Sequence, residues 1–328
     1  MRKVHIVAAT LLLAPITPAI AAAPTGLSVE SLEVLRSYDQ RLATIGWRLA
    51  TANAALCDAR APATGAVLHA ITQYEVVTEA AARRAFDFAT PVAIEAVVAE
   101  SPAARAGLRA NDAVAAIDGH PLTATAKPPS VVDRDAALAA IARGGETVRF
   151  TIVRDRERRD VSVAATPGCA ATFEVVLGPE MTAQSDGRVV QIGVRFLERY
   201  RDEEVAVVAA HELAHIVLRH RARLEAAGVK GGLFGELGRN ARLSQRAEEE
   251  ADRLGVHLLY NAGYDPAVAA RFWRAHGGEI DGGFFRSRTH PATKLRVAAI
   301  EAEAATLAAA PPRPSTPALV AQRDQPMK

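Results

Sequence analysis

The chain has 328 residues, of which 49% are apolar, and a formal net charge of +2. That length allows about two domains with a buried core, and the composition gives no case for global disorder. Basic residues are scattered and form no stripe that could follow a phosphate backbone, which argues against nucleic acid as a partner.

Residues 1–22 read as a cleaved signal peptide. Arg2 and Lys3 form the basic start, Ile6 to Ile20 the apolar stretch, and Ala19-Ile20-Ala21 the small-residue cleavage site. Pro15 and Pro18 argue against a permanent membrane helix, and no later segment is long and apolar enough to span. The mature chain is therefore expected in the periplasm, without a transmembrane segment. Its two cysteines, Cys57 and Cys169, suggest one disulfide in such an oxidising compartment.

Residues 23–78 begin the main domain. Leu32, Leu35, Leu42, Ile45, Trp47 and Leu49 are spaced for an amphipathic helix over Ser28 to Ala55, and a short strand or hairpin is expected between Cys57 and Tyr74. Residues 79–167 form a separate unit. Strands are expected at Val92 to Val98, Ala113 to Ile117, Val148 to Val153 and Val161 to Ala165, with helices at Ser101 to Leu108 and Val132 to Ala142.

The words Glu100-Ser-Pro-Ala-Ala-Arg-Ala-Gly-Leu108, Asn111-Asp112 and Ala116-Ile-Asp-Gly119 in this unit resemble PDZ domains of the bacterial protease-associated kind. Such domains add an extended peptide to a strand edge and receive its carboxylate in a backbone nest. With Val92 as the first strand, the nest would fall in Phe86-Asp-Phe-Ala-Thr-Pro-Val92, which has no glycine and a proline without a donor. A spacer role stands beside peptide capture. The two cysteines bracket the unit, so it reads as an insert with a disulfide across its stem.

The main domain resumes over residues 168–305. A strand over Thr172 to Leu177 and a returning strand over Arg188 to Val194 are expected to form a β-hairpin whose edge could pair with substrate backbone. A buried helix follows, from about Asp202 to Arg221, carrying His211-Glu-Leu-Ala-His215. Residues four apart share a helix face, so both imidazoles can reach one Zn²⁺ while Glu212 points toward a bound water. His220, five positions on, is expected to satisfy hydrogen bonds near the helix end. The glycine-rich stretch 226–239 is expected either to cover the cleft or to act as linker.

A second helix, Ser244 to Tyr260, carries Glu248-Glu-Glu-Ala-Asp252. Glu248 and Asp252 lie on one face, and one carboxylate with two histidines makes the open three-ligand site of a catalytic zinc. Glu249 and Glu250 are expected on a solvated face. A helix over Pro266 to His276, the turn Thr289-His-Pro291, a last helix over Pro291 to Ala310 and a disordered proline-rich tail at 306–328 complete the chain.

The order His-Glu-x-x-His, Glu-x-x-x-Asp, His-Pro resembles the M48 family of zinc metallopeptidases, the gluzincins, from about Thr172 to Glu303. With no expected membrane span the chain is similar to the soluble, exported BepA type rather than the HtpX and Ste24 types, although it lacks the helical repeat array of the BepA type. The resemblance implies an α+β fold: a mainly helical zincin domain with a small sheet, plus the inserted PDZ-like β-barrel. It implies one Zn²⁺ per chain, held by His211, His215 and Glu248, with Asp252 orienting a liganding histidine. It also places His290 and Arg296 near the cleft, where either could stabilise the oxyanion on the scissile carbonyl or the turn could plug the site. In that mechanism zinc acidifies its water and Glu212 is the general base.

The expected function is therefore a zinc endopeptidase of the cell envelope acting on misfolded or unassembled exported polypeptides. A PDZ-bearing adaptor or chaperone with little turnover shares every motif. Zinc content together with casein hydrolysis, each lost on chelation, separates the two.

Overall fold

The computed structural model describes residues 26–229, 238–280, 293–309 and 312–327. The signal-peptide stretch lies outside them. Helix α1 (Val29–Ala52) starts where Ser28 Oγ accepts from the Ser31 amide at 3.2 Å, and it buries Leu32, Leu42, Ile45 and Leu49. Strands β1 (Arg60–Ala63) and β2 (Ala66–Ala70) follow, then α2 (Val76–Phe86), β3 (Val92–Val97) and the short α3 (Pro102–Arg105). Next come β4 (Ala113–Ile117), β5 (His120–Pro121), α4 (Val132–Arg143), β6 (Thr147–Arg154), β7 (Glu157–Ala164) and β8 (Thr166–Cys169).

Of the short strand or hairpin expected before Tyr74, strands form but do not pair with each other. β1 pairs antiparallel with β8, Arg60 opposite Cys169, whereas β2 pairs with β3. Gly65, at φ +80°, turns the chain from one sheet to the other, where a built Cβ would meet Ser101 at 2.2 Å. Cys57 and Cys169 are joined by a disulfide, Cα atoms 5.4 Å apart, at the foot of this two-stranded stem.

Between the stem strands, a six-stranded sheet runs β2-β3-β4-β6-β7 with β5 beside β4, and α4 packs against it over Leu68, Ile94, Ala137, Ile141, Phe150 and Ile152. Its strand β2 lies ahead of residue 79. β3, read from sequence as the first strand, is interior, so it has no free edge. The outer strand beside α4 is β2, and the turn ahead of it, Ala63-Thr64-Gly65, does contain a glycine. The glycine-free stretch 86–92 is thus not the loop in front of a free edge.

The remaining strands, β9 (Thr172–Val176), β10 (Ala183–Ser185) and β11 (Val189–Gly193), form a sheet in the order β10-β11-β9. β11 runs parallel to β9 and pairs antiparallel with β10, so the expected β9–β11 hairpin is replaced by a parallel pair with an extra strand between them in sequence. α1 crosses β9 so closely that a Cβ on Gly46 would lie 2.4 Å from the Phe173 ring.

Among the described residues six α-helices follow, α5 (Val194–Arg199), α6 (Asp202–Val217), α7 (His220–Ala226), α8 (Gly238–Asn261), α9 (Ala267–Ile280) and α10 (Thr293–Thr306), and then a 3-10 turn at Ala318–Gln322. The main core joins α1, α6, α8, α9 and α10 through Leu49, Val205, Leu213, Leu254, Phe272 and Ile300. Residues 312–327, expected to be disordered, are packed instead. Leu319 and Val320 enter the main core, Met327 sits against Leu243 and Ala247, and Asn261 clamps Ser315 through both its amide N and its carbonyl.

Candidate metal centre

α6 is apolar on most of its surface and lies in the middle of the core, with the Glu204 carboxylate accepting from the Arg201 amide at 3.0 Å to close its first turn. That placement brings His211 and His215 onto one face. α8 crosses α6 with Gly255 over His211 and presents Glu248 to both rings.

His211 Nε2 is 3.1 Å from His215 Nε2 and 3.2 Å from Glu248 Oε2, and His215 Nε2 is 3.6 Å from Glu248 Oε1. Donors on a tetrahedral zinc, with bonds of about 2.0–2.1 Å, sit about 3.3 Å apart. Two imidazole nitrogens and a carboxylate, converging at that spacing, fit a divalent metal. Glu212, the neighbour of His211 on α6, is buried, and its charge acts on His215.

Asp252, one turn beyond Glu248, accepts from His211 Nδ1 at 2.9 Å. Behind it Arg296 is 2% exposed, donates from Nη2 to Asp252 Oδ1 at 2.8 Å, sets its Nε at ion-pair distance, 2.7 Å, from Oδ2, and stacks over the Trp273 ring at 3.3 Å. Burial opposes the Asp252 charge, but Arg296 and the His211 hydrogen bond outweigh it and hold the carboxyl below its usual range. Burial likewise opposes charge on His211, yet bonds to Asp252 and Glu248 raise its pKa to about 10. Arg296, expected to face the scissile carbonyl, is turned onto Asp252. His290 and residues 230–237 of the glycine-rich stretch lie outside the described residues.

The helix expected to run to Arg221 is broken. Arg219 adopts a left-handed conformation at φ 55°, and α7 starts afresh at His220. His220 is thereby 1% exposed and its Nδ1 lies 2.9 Å from His215 Nδ1, in keeping with the hydrogen-bonding role expected of it. Glu250, expected on a solvated face, is 9% exposed and bonded to His220, Arg223 and Arg246. Glu249 is exposed. The sequence reading missed Glu250 and Arg223, whose only signal was charge at positions that prove to face one another from different helices.

A PDZ domain profile matches residues 94–154, and the peptidase family M48 profile matches residues 229–304, which include Glu248, Asp252 and Arg296. The chain carries a peptidase M48 domain and a PDZ domain. It is 29% identical over 121 residues to the mitochondrial metalloendopeptidase OMA1 of Schizosaccharomyces pombe, covering 30% of this chain and 36% of that one. It is 28% identical over 114 residues to the beta-barrel assembly-enhancing protease of Yersinia pestis, covering 26% of this chain and 24% of that one. The chain thus spans about a third or less of the length of these curated relatives. Among the described residues, no helix is long and apolar enough to cross a membrane.

Proposed function

We propose that this M48 chain is a zinc-dependent endopeptidase of the cell envelope that hydrolyses exported polypeptides which are misfolded or unassembled. The observation that carries the reading is the convergence of His211, His215 and Glu248 at ligand spacing, with Glu212 beside them and the Asp252–Arg296 pair behind. The disulfide and the signal-like first 22 residues support an exported setting.

A zinc ion bound there would act as a Lewis acid on the scissile carbonyl and lower the pKa of water. The Glu212 carboxylate takes a proton from the attacking water and passes it to the leaving amine nitrogen. Asp252, itself fixed by Arg296, accepts from His211 Nδ1, which keeps the Nε2 lone pair free for the metal and fixes the ring plane. Arg296 is assigned this positioning role, and oxyanion stabilisation is left to the region of His290. β10, the outer strand next to α6, offers its edge to an extended substrate backbone. Polypeptide substrates also suit the PDZ domain, where the β2 edge beside α4 is the proposed docking position.

The test is Glu212→Gln with metal content and casein hydrolysis measured on the same preparation. The reading expects wild-type hydrolysis that chelation abolishes, and a variant that retains its metal while losing at least about 100-fold in rate. Undiminished hydrolysis in the metal-loaded variant removes Glu212 from the chemistry. A metal-loaded wild type that binds unfolded chains without cleaving them assigns the protein to capture instead.

A further inference from the structure

His211 has a buried carboxylate behind its Nδ1. His215, the other imidazole of the centre, has a histidine. Its Nε2 faces His211 Nε2 and Glu248, so the nitrogen left over is Nδ1, at 2.9 Å from His220 Nδ1, with the two rings inclined at 75°. The far nitrogen of His220, Nε2, is 3.2 Å from Glu250 Oε2. That carboxylate is held in turn by Arg223 Nη1 at 2.8 Å and by Arg246 Nε at 3.2 Å, and Arg223 Nε donates to the Gln325 carbonyl at 3.1 Å in the packed C-terminal segment.

Resting on the metallopeptidase reading above, we propose that His220, Glu250 and Arg223 form a second buried positioning chain, one ring longer than Asp252–Arg296, that holds His215 in the tautomer and orientation a metal ligand needs. The proton placement follows from the donor inventory. A neutral His215 whose Nε2 lone pair points to the metal carries its proton on Nδ1. That N–H donates to His220 Nδ1, which must then be unprotonated, so the His220 proton sits on Nε2 and is donated to the Glu250 carboxylate. Arg223 balances the charge at the end of the chain. Each link has one donor and one acceptor, and reversing any of them puts a proton where His215 must offer a lone pair.

The backbone is shaped for this contact. Had α6 continued without interruption, residue 220 would lie five residues, about 140° around the axis, from His215 and would point away from it. The left-handed Arg219 ends α6 and turns His220 back against the ring. A buried histidine and a buried arginine from α7, with a buried carboxylate from α8, would be a costly set of polar groups without such mutual satisfaction.

The experiment measures zinc affinity by competition with a chromophoric chelator for the full mature chain and for His220→Ala, His220→Gln and His257→Ala. His257 is another buried histidine, on α8, bonded to Glu303 and Ser315 and more than two helical turns beyond Glu248. Loss of the chain should weaken zinc binding about 10- to 100-fold in His220→Ala. The glutamine, which can still accept from His215 Nδ1, should recover most of the loss, and His257→Ala should bind as wild type does. Equal affinity in wild type and His220→Ala overturns the proposal, as does an equal loss in His257→Ala, which would make the effect one of general packing.

Independently of any variant, long-range ¹H–¹⁵N correlation on the zinc-loaded wild type should find His220 protonated at Nε2 alone. A proton on His220 Nδ1 overturns the proposal even if the variants fail to fold. Wild-type protein that binds no zinc is the distinct outcome in which the metallopeptidase reading fails and takes this chain with it.

Discussion

Asp252 shows how a single side chain ties the site to the stability of the fold. It is buried, charged and shared between His211 and Arg296, so removing Arg296 leaves a carboxylate in the core without its compensating cation. Breaking such a pair costs about 3–5 kcal/mol. Arg296→Ala should therefore unfold at markedly lower denaturant than wild type in an equilibrium urea titration. Arg296→Lys should recover little, because an ammonium cannot match the two-pronged contact or the stacking on Trp273. A variant with wild-type stability would mean that Asp252 is carried by other groups. The shared face of His211 and His215, and that of Glu248 and Asp252, were legible from spacing, since four-residue intervals on a helix define a face, whereas the roles of Glu248 and Asp252 within the acidic run came from the family resemblance. His220 was legible only as a hydrogen-bonding group, because the left-handed turn at Arg219 is made by a residue type that gives no warning of it. Glu250 sits in the same acidic run as Glu248, and nothing local distinguishes an exposed glutamate from one whose partner Arg223 arrives from another helix.

Among the elements, two contacts made through glycine, α1 on β9 and α8 on α6, differ in how closely they approach. α1 meets β9 at Gly46, where a methyl group would collide with the Phe173 ring, whereas a methyl on Gly255 would rest 3.6 Å from His211 Cα in ordinary contact. Gly46→Ala should cost about 1–3 kcal/mol in thermal or urea unfolding, while Gly255→Ala should be within about 1 kcal/mol of wild type, helped by better helix propensity. The opposite order would contradict the packing. Element identities were largely readable because α1, α6 and α8 repeat apolar residues at helical period and β3, β4 and β6 are bounded by turn residues. Pairing was not. Whether β2 joins β1 or β3, and whether β11 runs with β9 or against it, depends on contacts distant in sequence that local periodicity does not encode. The tail was misread for a related reason. Its prolines suggest disorder, but Leu319 and Val320 find a place in a core built by other elements.

Across the whole molecule, the PDZ region is fastened to the peptidase region by α1 and by a set of charged groups: Arg36 bonds Asn111 at 2.7 Å and Arg134 bonds Glu174 at 2.7 Å. Within this set burial pushes Asp39 up to about 7 despite Arg134, and burial with the Asp39 charge pushes Glu95 up to about 8. Both carboxyls hold protons more tightly folded than unfolded, so their contribution to stability is complete below about pH 4 and is lost as pH rises through 7 to 8. Unfolding free energy should therefore be lower at pH 8.5 than at pH 5. In Asp39→Asn/Glu95→Gln that decline should largely vanish, and an unchanged decline in the double variant would place the titrating groups elsewhere.

The most direct test of a metal held between α6 and α8 is elemental analysis by mass spectrometry of the purified protein beside His211→Ala and Glu248→Ala. The expected result is about one zinc per chain in wild type, with most of it lost from each variant while the circular dichroism spectrum remains folded. Wild-type protein without stoichiometric metal under zinc-replete expression, or variants that keep their zinc, would contradict it.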